Sequence, residues 1–160
     1  MSSQAKVVSL DEAVRQREAI AARGGKIALC NGVFDVLHVG HLRYLEDARS
    51  RADALFVAVN SDRSTRENKG EGRPLVPESE RAELLAGFAA VDFVVLFDGR
   101  DVSEVIRALR PDFQVKGTDY TPETVPERAL VESLGGRVII AGDPKDHSST
   151  ALLGAVRGRP

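Results

Sequence analysis

The sequence predicts a doubly wound α/β domain with a Rossmann-like, parallel five-stranded sheet and helices on both faces. The first observation behind this prediction is that short apolar runs alternate along the chain with amphipathic helical stretches. The second is that each run is apolar throughout, which indicates strands that are covered on both sides. The length of 160 residues and the apolar content of 42% suit a single core. In such sheets, ligands bind beyond the carboxyl ends of the strands, where the strand order reverses.

Each predicted element follows from local sequence signals. Strands correspond to apolar runs such as ALFVAVN, and helices to stretches with apolar residues three or four positions apart. Pro77 precedes one helix, and Pro111 and Gly135 lie just past the ends of two others. The predicted strands are residues 26–31, 54–60, 92–97, 112–116 and 137–141. The predicted helices are residues 10–23, 39–51, 78–88, 102–109, 126–134 and 149–156.

We expect one domain over residues 1–160, with a catalytic core over 26–157 and a helical extension over 1–25 that packs outside the sheet. The net charge of -2 gives no long-range attraction to nucleic acid or to an anionic membrane, so any phosphate site must be local. No apolar run approaches the ~20 residues of a membrane helix, and the N-terminus lacks a signal-peptide pattern. The single cysteine, Cys30, cannot form an internal disulfide. These features predict a cytoplasmic protein that binds neither nucleic acid nor membrane.

Two of the three histidines lie in the loop after the first predicted strand. His38 and His41 flank Gly40 where a predicted helix begins. A helix N-terminus attracts anions through its free N–H groups and its dipole, and imidazoles placed there can donate to phosphate oxygens. The alternative is a pair of surface histidines on a turn. Their close spacing, in the loop where this fold binds ligands, favours a phosphate site.

The stretch over residues 32–41, Gly-x-Phe-Asp-x-x-His-x-Gly-His, resembles the signature of the cytidylyltransferase-like nucleotidyltransferases. That family includes glycerol-3-phosphate cytidylyltransferase, phosphopantetheine adenylyltransferase and the adenylyltransferase half of the bifunctional heptose kinase/adenylyltransferase. The resemblance implies that His38 and His41 bind the triphosphate and stabilise charge in the transition state. It also implies that the rest of the loop contacts both reactants: the nucleotide through Gly32, Val33, Phe34 and Gly40, and the substrate through Asp35.

The segment over residues 61–74 follows the second predicted strand and is rich in glycine and charge, which predicts a mobile loop over the site. Its pattern of Asn-Ser-Asp, Lys-Gly and Arg-Pro is similar to that of the heptose adenylyltransferases. The resemblance implies that Lys69 is a catalytic phosphate ligand and that Arg73 binds substrate, and it offers Arg81 as a further phosphate ligand. The alternative for most of these charges is a solvated loop.

The stretch Val-Lys-Gly-x-Asp-Tyr, which follows the fourth predicted strand, is also similar to the heptose enzymes. This similarity implies that Lys116 pairs with a sugar phosphate and that Asp119 accepts hydrogen bonds from sugar hydroxyls. The alternative is that Lys116 only ends a strand and that Asp119 and Tyr120 form a turn.

Hydroxyl residues precede the last predicted helix, where they can cap the helix or cradle phosphate. The family has a Ser- and Thr-rich segment here that grips the nucleotide phosphates, and Ser148, Ser149 and Thr150 match it. The sequence departs from the family just upstream, where cytidylyltransferases have an arginine. Lys145 and His147 are the candidates to replace it.

The resemblance covers nearly the whole chain and implies a stand-alone D-glycero-β-D-manno-heptose 1-phosphate adenylyltransferase, with no sugar-kinase domain before it. The expected reaction joins ATP and the sugar 1-phosphate to give ADP-heptose, a precursor of lipopolysaccharide or another surface glycan, and pyrophosphate. Mg²⁺ is expected to arrive with ATP and to have few direct protein ligands. A homo-oligomer is expected. Two alternatives stay open: a cytidylyltransferase for glycerol 3-phosphate or a similar phosphorylated alcohol, and a catalytically inactive nucleotide-binding regulator.

Overall fold

The computed structural model describes residues 1–144 and 149–158. It contains one sheet of five parallel strands in the order β3-β2-β1-β4-β5, which confirms the predicted doubly wound fold. Each strand lies within one residue of its predicted bounds because every predicted run is apolar enough to be buried on both faces. The strands are β1 (Ile27–Gly32), β2 (Ala54–Asn60), β3 (Phe93–Phe97), β4 (Phe113–Lys116) and β5 (Arg137–Ile140).

Helices cover both faces of the sheet. Leu45 and Leu85 belong to the apolar core on one face, and Ile106 and Val131 to the core on the other. None of the helices among the described residues is long and apolar enough to span a membrane. The helices are α1 (Ser3–Lys6), α2 (Leu10–Ala22), α3 (Val39–Ser50), α4 (Asp62–Lys69), α5 (Glu78–Ala86), α6 (Ser103–Leu109), α7 (Arg128–Ser133) and α8 (Ser149–Arg157), with a 3₁₀ turn at Pro122–Thr124.

The N-terminal segment contacts both helix α6 and the edge strand β3. Helix α2, which the sequence predicts, packs against α6, and Ala13 is completely buried. Val7 forms an isolated bridge to Val94 of β3, and the Val8 N–H donates to the Val94 carbonyl at 2.9 Å. The sequence predicts neither α1 nor this backbone pairing, because each involves too few residues to produce a period.

The strand order reverses between β1 and β4. From β1 the chain builds outward through β2 to β3, and the second half of the sheet grows from β4 to β5 on the other side of β1. The loops that follow β1 and β4 therefore lie side by side at the carboxyl edge, where doubly wound sheets bind ligands.

Candidate active site

A cavity of about 450 Å³ opens at this carboxyl edge. Its walls come from the loops after β1, β4 and β5 and from the segment that follows β2. The structure brings together twelve of the residues that the sequence and the resemblance predict for the site. They are Gly32, Val33, Phe34, Asp35, His38, Gly40, His41, Lys69, Arg73, Lys116, Asp119 and Thr150. Ser148, like Lys145 and His147, lies outside the described residues, and Ser149 is described only as the first residue of α8.

The two motif histidines cap α3: His38 precedes the helix, and His41 lies in its first turn. The Gly40 N–H donates to His38 Nδ1 at 3.1 Å, and the His38 N–H donates to His41 Nδ1 at 3.2 Å. The ring centroids are 4.0 Å apart. Because each Nδ1 accepts a backbone N–H, each neutral ring carries its proton on Nε2. The pair therefore supplies two Nε2–H donors at the start of α3, where the helix dipole also favours an anion.

The loop between β1 and α3 holds a strained backbone. Phe34 has a φ of 53°, in the left-handed region, and its ring is buried with its centroid 5.6 Å from that of His41. A Cβ added to Gly32 would lie 3.3 Å from the Phe34 ring, so a larger residue there would crowd it. Such backbone conformations cost about 1–3 kcal/mol and persist where the surroundings fix them, often at ligand sites.

Asp35 joins the β1 loop to the segment after α4. Its side chain is 1% exposed and accepts hydrogen bonds from Arg73 Nε at 2.8 Å and from the N–H groups of Leu75 and Val76, each at 2.9 Å. Burial alone would raise the pKa of Asp35, but the Leu75 and Val76 N–H groups and the Arg73 guanidinium together hold it below its ordinary value. Both carboxylate oxygens are thus engaged within the protein, and a substrate contact of Asp35 stays a prediction.

This lowered pKa predicts a pH-dependent contribution to stability. A carboxyl whose pKa is lower in the folded than in the unfolded state stabilises the fold above its unfolded pKa, about 3.9, and loses this contribution as the pH falls through the folded pKa. We expect Asp35→Asn to reduce the free energy of unfolding at pH 7 by about 1–3 kcal/mol. The deficit should shrink below about pH 4. Urea unfolding at pH 7 and pH 3 measures both values, and an equal deficit at the two pH values would contradict the prediction.

Arg81 does not reach the cavity, which corrects its suggested role as a phosphate ligand. The side chain is 0% exposed and donates to the carbonyls of Val33 at 2.6 Å, Asn60 at 2.8 Å and Val76 at 2.8 Å, and to Asp62 Oδ1 at 2.8 Å. It is a structural cross-link between the ends of β1 and β2, α4 and the start of α5. The spacing from Leu85 signals this role, because residues four apart share a helix face and Leu85 faces the core.

The segment after β2 forms helix α4, so the predicted mobile loop over 61–74 is wrong for residues 62–69. The Ser61 hydroxyl caps the helix by accepting from the Ser64 N–H at 3.1 Å, and the Thr65 hydroxyl donates to the Ser61 carbonyl at 2.7 Å. Ser64 and Thr65 are completely buried. The inner face of α4 is therefore made of hydroxyls that satisfy local carbonyls, and it shows no apolar period in the sequence.

Helix α4 presents Lys69 to the cavity from its last turn. Lys69 is exposed. Its ammonium group forms no salt bridge with any described carboxylate. If Lys69 binds phosphate as the resemblance implies, we expect Lys69→Ala to lower turnover by about 10²-fold, since the change removes a positive charge from the cavity. The thermal midpoint should barely change, because the side chain has no packing to lose. Arg66→Ala, an exposed change on the same helix outside the cavity, is the matched control. Full activity of Lys69→Ala would show that Lys69 is only a solvated surface residue.

The loop after β4 is both a turn and a wall of the cavity. The Tyr120 N–H donates to the Gly117 carbonyl at 3.1 Å, so the turn that was the alternative interpretation exists. Lys116 ends β4 with its Nζ 4.7 Å from the centroid of the Tyr120 ring. Lys116 and Asp119 nevertheless line the cavity. Structural and binding roles are compatible at these positions.

The sequence analysis missed several cavity residues. Arg43 forms an exposed salt bridge to Asp143 at 2.9 Å, which links α3 to the loop after β5. The Tyr44 hydroxyl donates to the Val115 carbonyl under the cavity floor. Three more missed residues are single polar side chains at strand or helix ends, a class too common to stand out in one sequence: Asn31, Asn60 and Asn68.

Cys30 is in β1 and does not line the cavity. It is completely buried in β1, and this burial raises the pKa of its thiol to about 12. A buried neutral thiol is a poor nucleophile. Cys30 is therefore a small buried hydrophobic residue of the core.

The cavity has a small excess of cationic over carboxylate side chains, since Asp35, Asp119 and Asp143 also line it, although the chain has a net charge of -2. Four cations line it: Arg43, Lys69, Arg73 and Lys116. Arg43 and Arg73 are paired with carboxylates, whereas Lys69 and Lys116 form no salt bridge with a described carboxylate. Two lysines and two imidazole donors thus surround one space, which matches the demands of a polyphosphate ligand.

Known proteins share this architecture. The chain matches the cytidylyltransferase-like family over residues 29–152. It is 46% identical over 151 residues to the bifunctional protein HldE of Geobacter metallireducens, and 48% identical over 151 residues to that of Koribacter versatilis. In both cases the match covers 94% of this chain and 31% of the relative, so the chain spans about a third of the length of these relatives.

A solved structure agrees with the sequence relatives. The lipopolysaccharide core biosynthesis protein of Thermoplasma volcanium superposes with a TM-score of 0.66 at 27% identity, covering 76% of this chain and 100% of that protein. The matched residues of the family include the whole of the motif loop and reach into α8. The chain therefore belongs to the cytidylyltransferase-like family, as the resemblance of its motif over residues 32–41 implies.

Proposed function

We propose that this chain is an adenylyltransferase that joins ATP and D-glycero-β-D-manno-heptose 1-phosphate to give ADP-heptose and pyrophosphate. The observation that supports nucleotidyl transfer best is the His38 and His41 pair, whose Nε2–H donors lie with Lys69 and Lys116 around one cavity. Such an arrangement neutralises a triphosphate and the charge that develops when its α-phosphorus is attacked.

The proposed reaction needs no covalent intermediate on the protein. A phosphate oxygen of the sugar phosphate attacks the α-phosphorus in line, forming the new P–O bond. The bond between the α-phosphorus and the bridging oxygen breaks, and its electron pair leaves with pyrophosphate. The protein's part is to position the two anions and to stabilise charge on the phosphoryl oxygens. His38, His41 and Lys69 bind the triphosphate, and Lys116 binds the sugar phosphate.

Mg²⁺ fits this site as an ion that would bind through the phosphates of ATP. The described residues contain no group of three His, Cys, Asp or Glu side chains that could hold a metal ion. The buried Asp35 carboxylate is already engaged by Arg73 and two N–H groups. Because Mg²⁺ prefers to keep waters and phosphate oxygens as ligands, the nucleotide itself would supply most of its coordination. When bound, the ion adds positive charge to the triphosphate.

The choice of ATP and heptose depends on the relatives and on the loop after β4. We infer that the matched third of the HldE relatives is their adenylyl-transferring part. The Val-Lys-Gly-x-Asp-Tyr stretch, which resembles the heptose enzymes, lines the cavity through Lys116 and Asp119. The Thermoplasma volcanium protein is titled a lipopolysaccharide core biosynthesis protein, which agrees with a surface-glycan precursor as product. A cytoplasmic location and a homo-oligomeric state stay predictions.

A substrate panel tests the proposal. The four nucleoside triphosphates are each combined with heptose 1-phosphate, glucose 1-phosphate or glycerol 3-phosphate, and pyrophosphate release is measured. We expect the highest kcat/KM for ATP with heptose 1-phosphate. Turnover of CTP with glycerol 3-phosphate, together with no turnover of ATP with heptose 1-phosphate, would favour the cytidylyltransferase alternative. Release in no combination would favour the inactive regulator.

A further inference from the structure

One buried polar side chain is not explained by the proposed chemistry. Gln114, in the middle of β4, is completely buried, and its Nε2 donates to Asn31 Oδ1 at 3.2 Å and to Glu127 Oε2 at 3.3 Å. Its Oε1 has no hydrogen-bond partner among the described residues. An unpartnered buried oxygen lowers stability, and an apolar side chain of the same size would avoid that loss. The function of the amide must therefore lie in its N–H₂ group.

This amide fixes the orientation of Asn31. Both neighbours of Gln114 Nε2 are acceptor oxygens, so the Gln114 amide cannot be flipped without losing two hydrogen bonds. Asn31 must then turn its Oδ1 toward Gln114 and its Nδ2 away from it. Asn31 lines the cavity, and its Nδ2 is neither bonded to a described residue nor one of the buried unpartnered atoms. The Asn31 amino group is thus held as a donor toward the cavity.

The position of Asn31 assigns this donor to one of the two reactants. Leu29 pairs with Gln114 and Cys30 with Val115, and the same parallel register carried one residue further places Asn31 beside Lys116. Lys116 belongs to the part of the cavity that the proposed function gives to the sugar phosphate. The motif histidines, by contrast, lie at the start of α3.

We propose that Asn31 Nδ2 donates a hydrogen bond to an oxygen of the acceptor sugar phosphate, and that Gln114 and Glu127 act as positioning residues which hold Asn31 in this orientation. The inference rests on the proposed function and extends it with a specificity residue at the switch point of the sheet. A hydroxyl or phosphate oxygen of the acceptor substrate can accept a hydrogen bond from Asn31 Nδ2, whereas a group that can only donate would be rejected at the same place.

Three variants test the inference by their KM for the acceptor at saturating ATP: Asn31→Ala, Gln114→Met and the double variant. We expect the KM for the acceptor to rise about 10-fold in Asn31→Ala and about 5-fold in Gln114→Met, the size of one lost hydrogen bond, with little change in kcat or in the KM for ATP. The double variant should match Asn31→Ala, because Gln114 acts only through Asn31. Gln16→Met, in the distant helix α2, is the control for the Gln-to-Met change.

The following results would contradict the inference or the proposed function. An unchanged acceptor KM in Asn31→Ala overturns the inference, and so do effects of the two changes that multiply in the double variant. A large fall in the thermal midpoint of Gln114→Met with an unchanged acceptor KM shows that Gln114 is structural only. If the wild-type protein releases pyrophosphate with no acceptor in the panel, the proposed function fails and this inference fails with it. If the wild type is active and only the variants behave otherwise than expected, the inference alone fails.

Discussion

His41→Ala is expected to lower turnover by about 10²–10³-fold, the usual loss when one preorganised donor to a developing charge is removed. His41 contributes in two ways that the structure separates. Its Nδ1 accepts the His38 N–H at 3.2 Å and so caps α3, and its ring lines the cavity, where the Nε2–H can donate to a ligand. Alanine removes both functions. The loss of the cap should also reduce the free energy of unfolding by about 1 kcal/mol.

His41→Asn distinguishes the two contributions. An asparagine Oδ1 is bonded to Cγ as histidine Nδ1 is, so it can accept the His38 N–H, but the side chain is too short to replace the Nε2–H donor. We expect this variant to regain the stability that His41→Ala loses while turnover remains low. Steady-state pyrophosphate release and urea unfolding, measured on the same preparations, provide the two values. Turnover near that of the wild type in either variant would exclude His41 from the chemistry.

The parts of the fold that the sequence predicts are those with a repeated physical signal. All seven residues of β2 are buried, and all are apolar except Asn60, which ends the strand. The strand is therefore predictable from composition alone. The same holds for the site at the level of loops, because parallel strands of any sequence bring the segments after β1 and β4 together. Twelve predicted residues line one cavity for this reason.

The remaining features depend on single polar contacts that leave no periodic trace. Helix α4 buries the hydroxyls of Ser64 and Thr65 instead of apolar side chains, so its charged sequence resembles that of an exposed loop. Asp35 and Arg73 are 38 positions apart, and nothing in either residue's neighbourhood indicates the 2.8 Å ion pair between them. The mutual capping of His38 and His41 similarly requires coordinates.

Arg81 shows how a family resemblance can assign the right residue to the wrong function. A phosphate ligand and a buried cross-link make opposite predictions for a substitution. Loss of a phosphate ligand would raise the KM for ATP and leave stability unchanged. Loss of the cross-link would remove donors from the carbonyls of Val33, Asn60 and Val76 and separate the Asp62 carboxylate from its cation.

Arg81→Met is therefore expected to lower the free energy of unfolding by about 3–5 kcal/mol, because it removes a fully buried guanidinium that serves three carbonyls and the partly exposed Asp62 carboxylate. This is a large part of the 5–15 kcal/mol that stabilises a typical domain. Arg81→Lys should fall between methionine and wild type, because an ammonium keeps the charge but cannot reach four acceptors in the plane that guanidinium provides. Arg63→Met, which removes an exposed arginine paired with Asp98, is the matched control and should leave the urea midpoint nearly unchanged.

Urea unfolding curves with equal slopes make this comparison quantitative, because a shift of the midpoint at constant slope reports stability alone. The structure requires that the midpoint of Arg81→Met fall well below that of Arg63→Met. It also requires that Arg81→Met, assayed at a temperature where it is still folded, show losses spread over both substrates, since Arg81 holds the β1 loop through Val33 and the start of α5 through Val76. A stable Arg81→Met protein with only a raised KM for ATP would restore the arginine to the phosphate site and would show that the buried conformation is not the one that binds nucleotide.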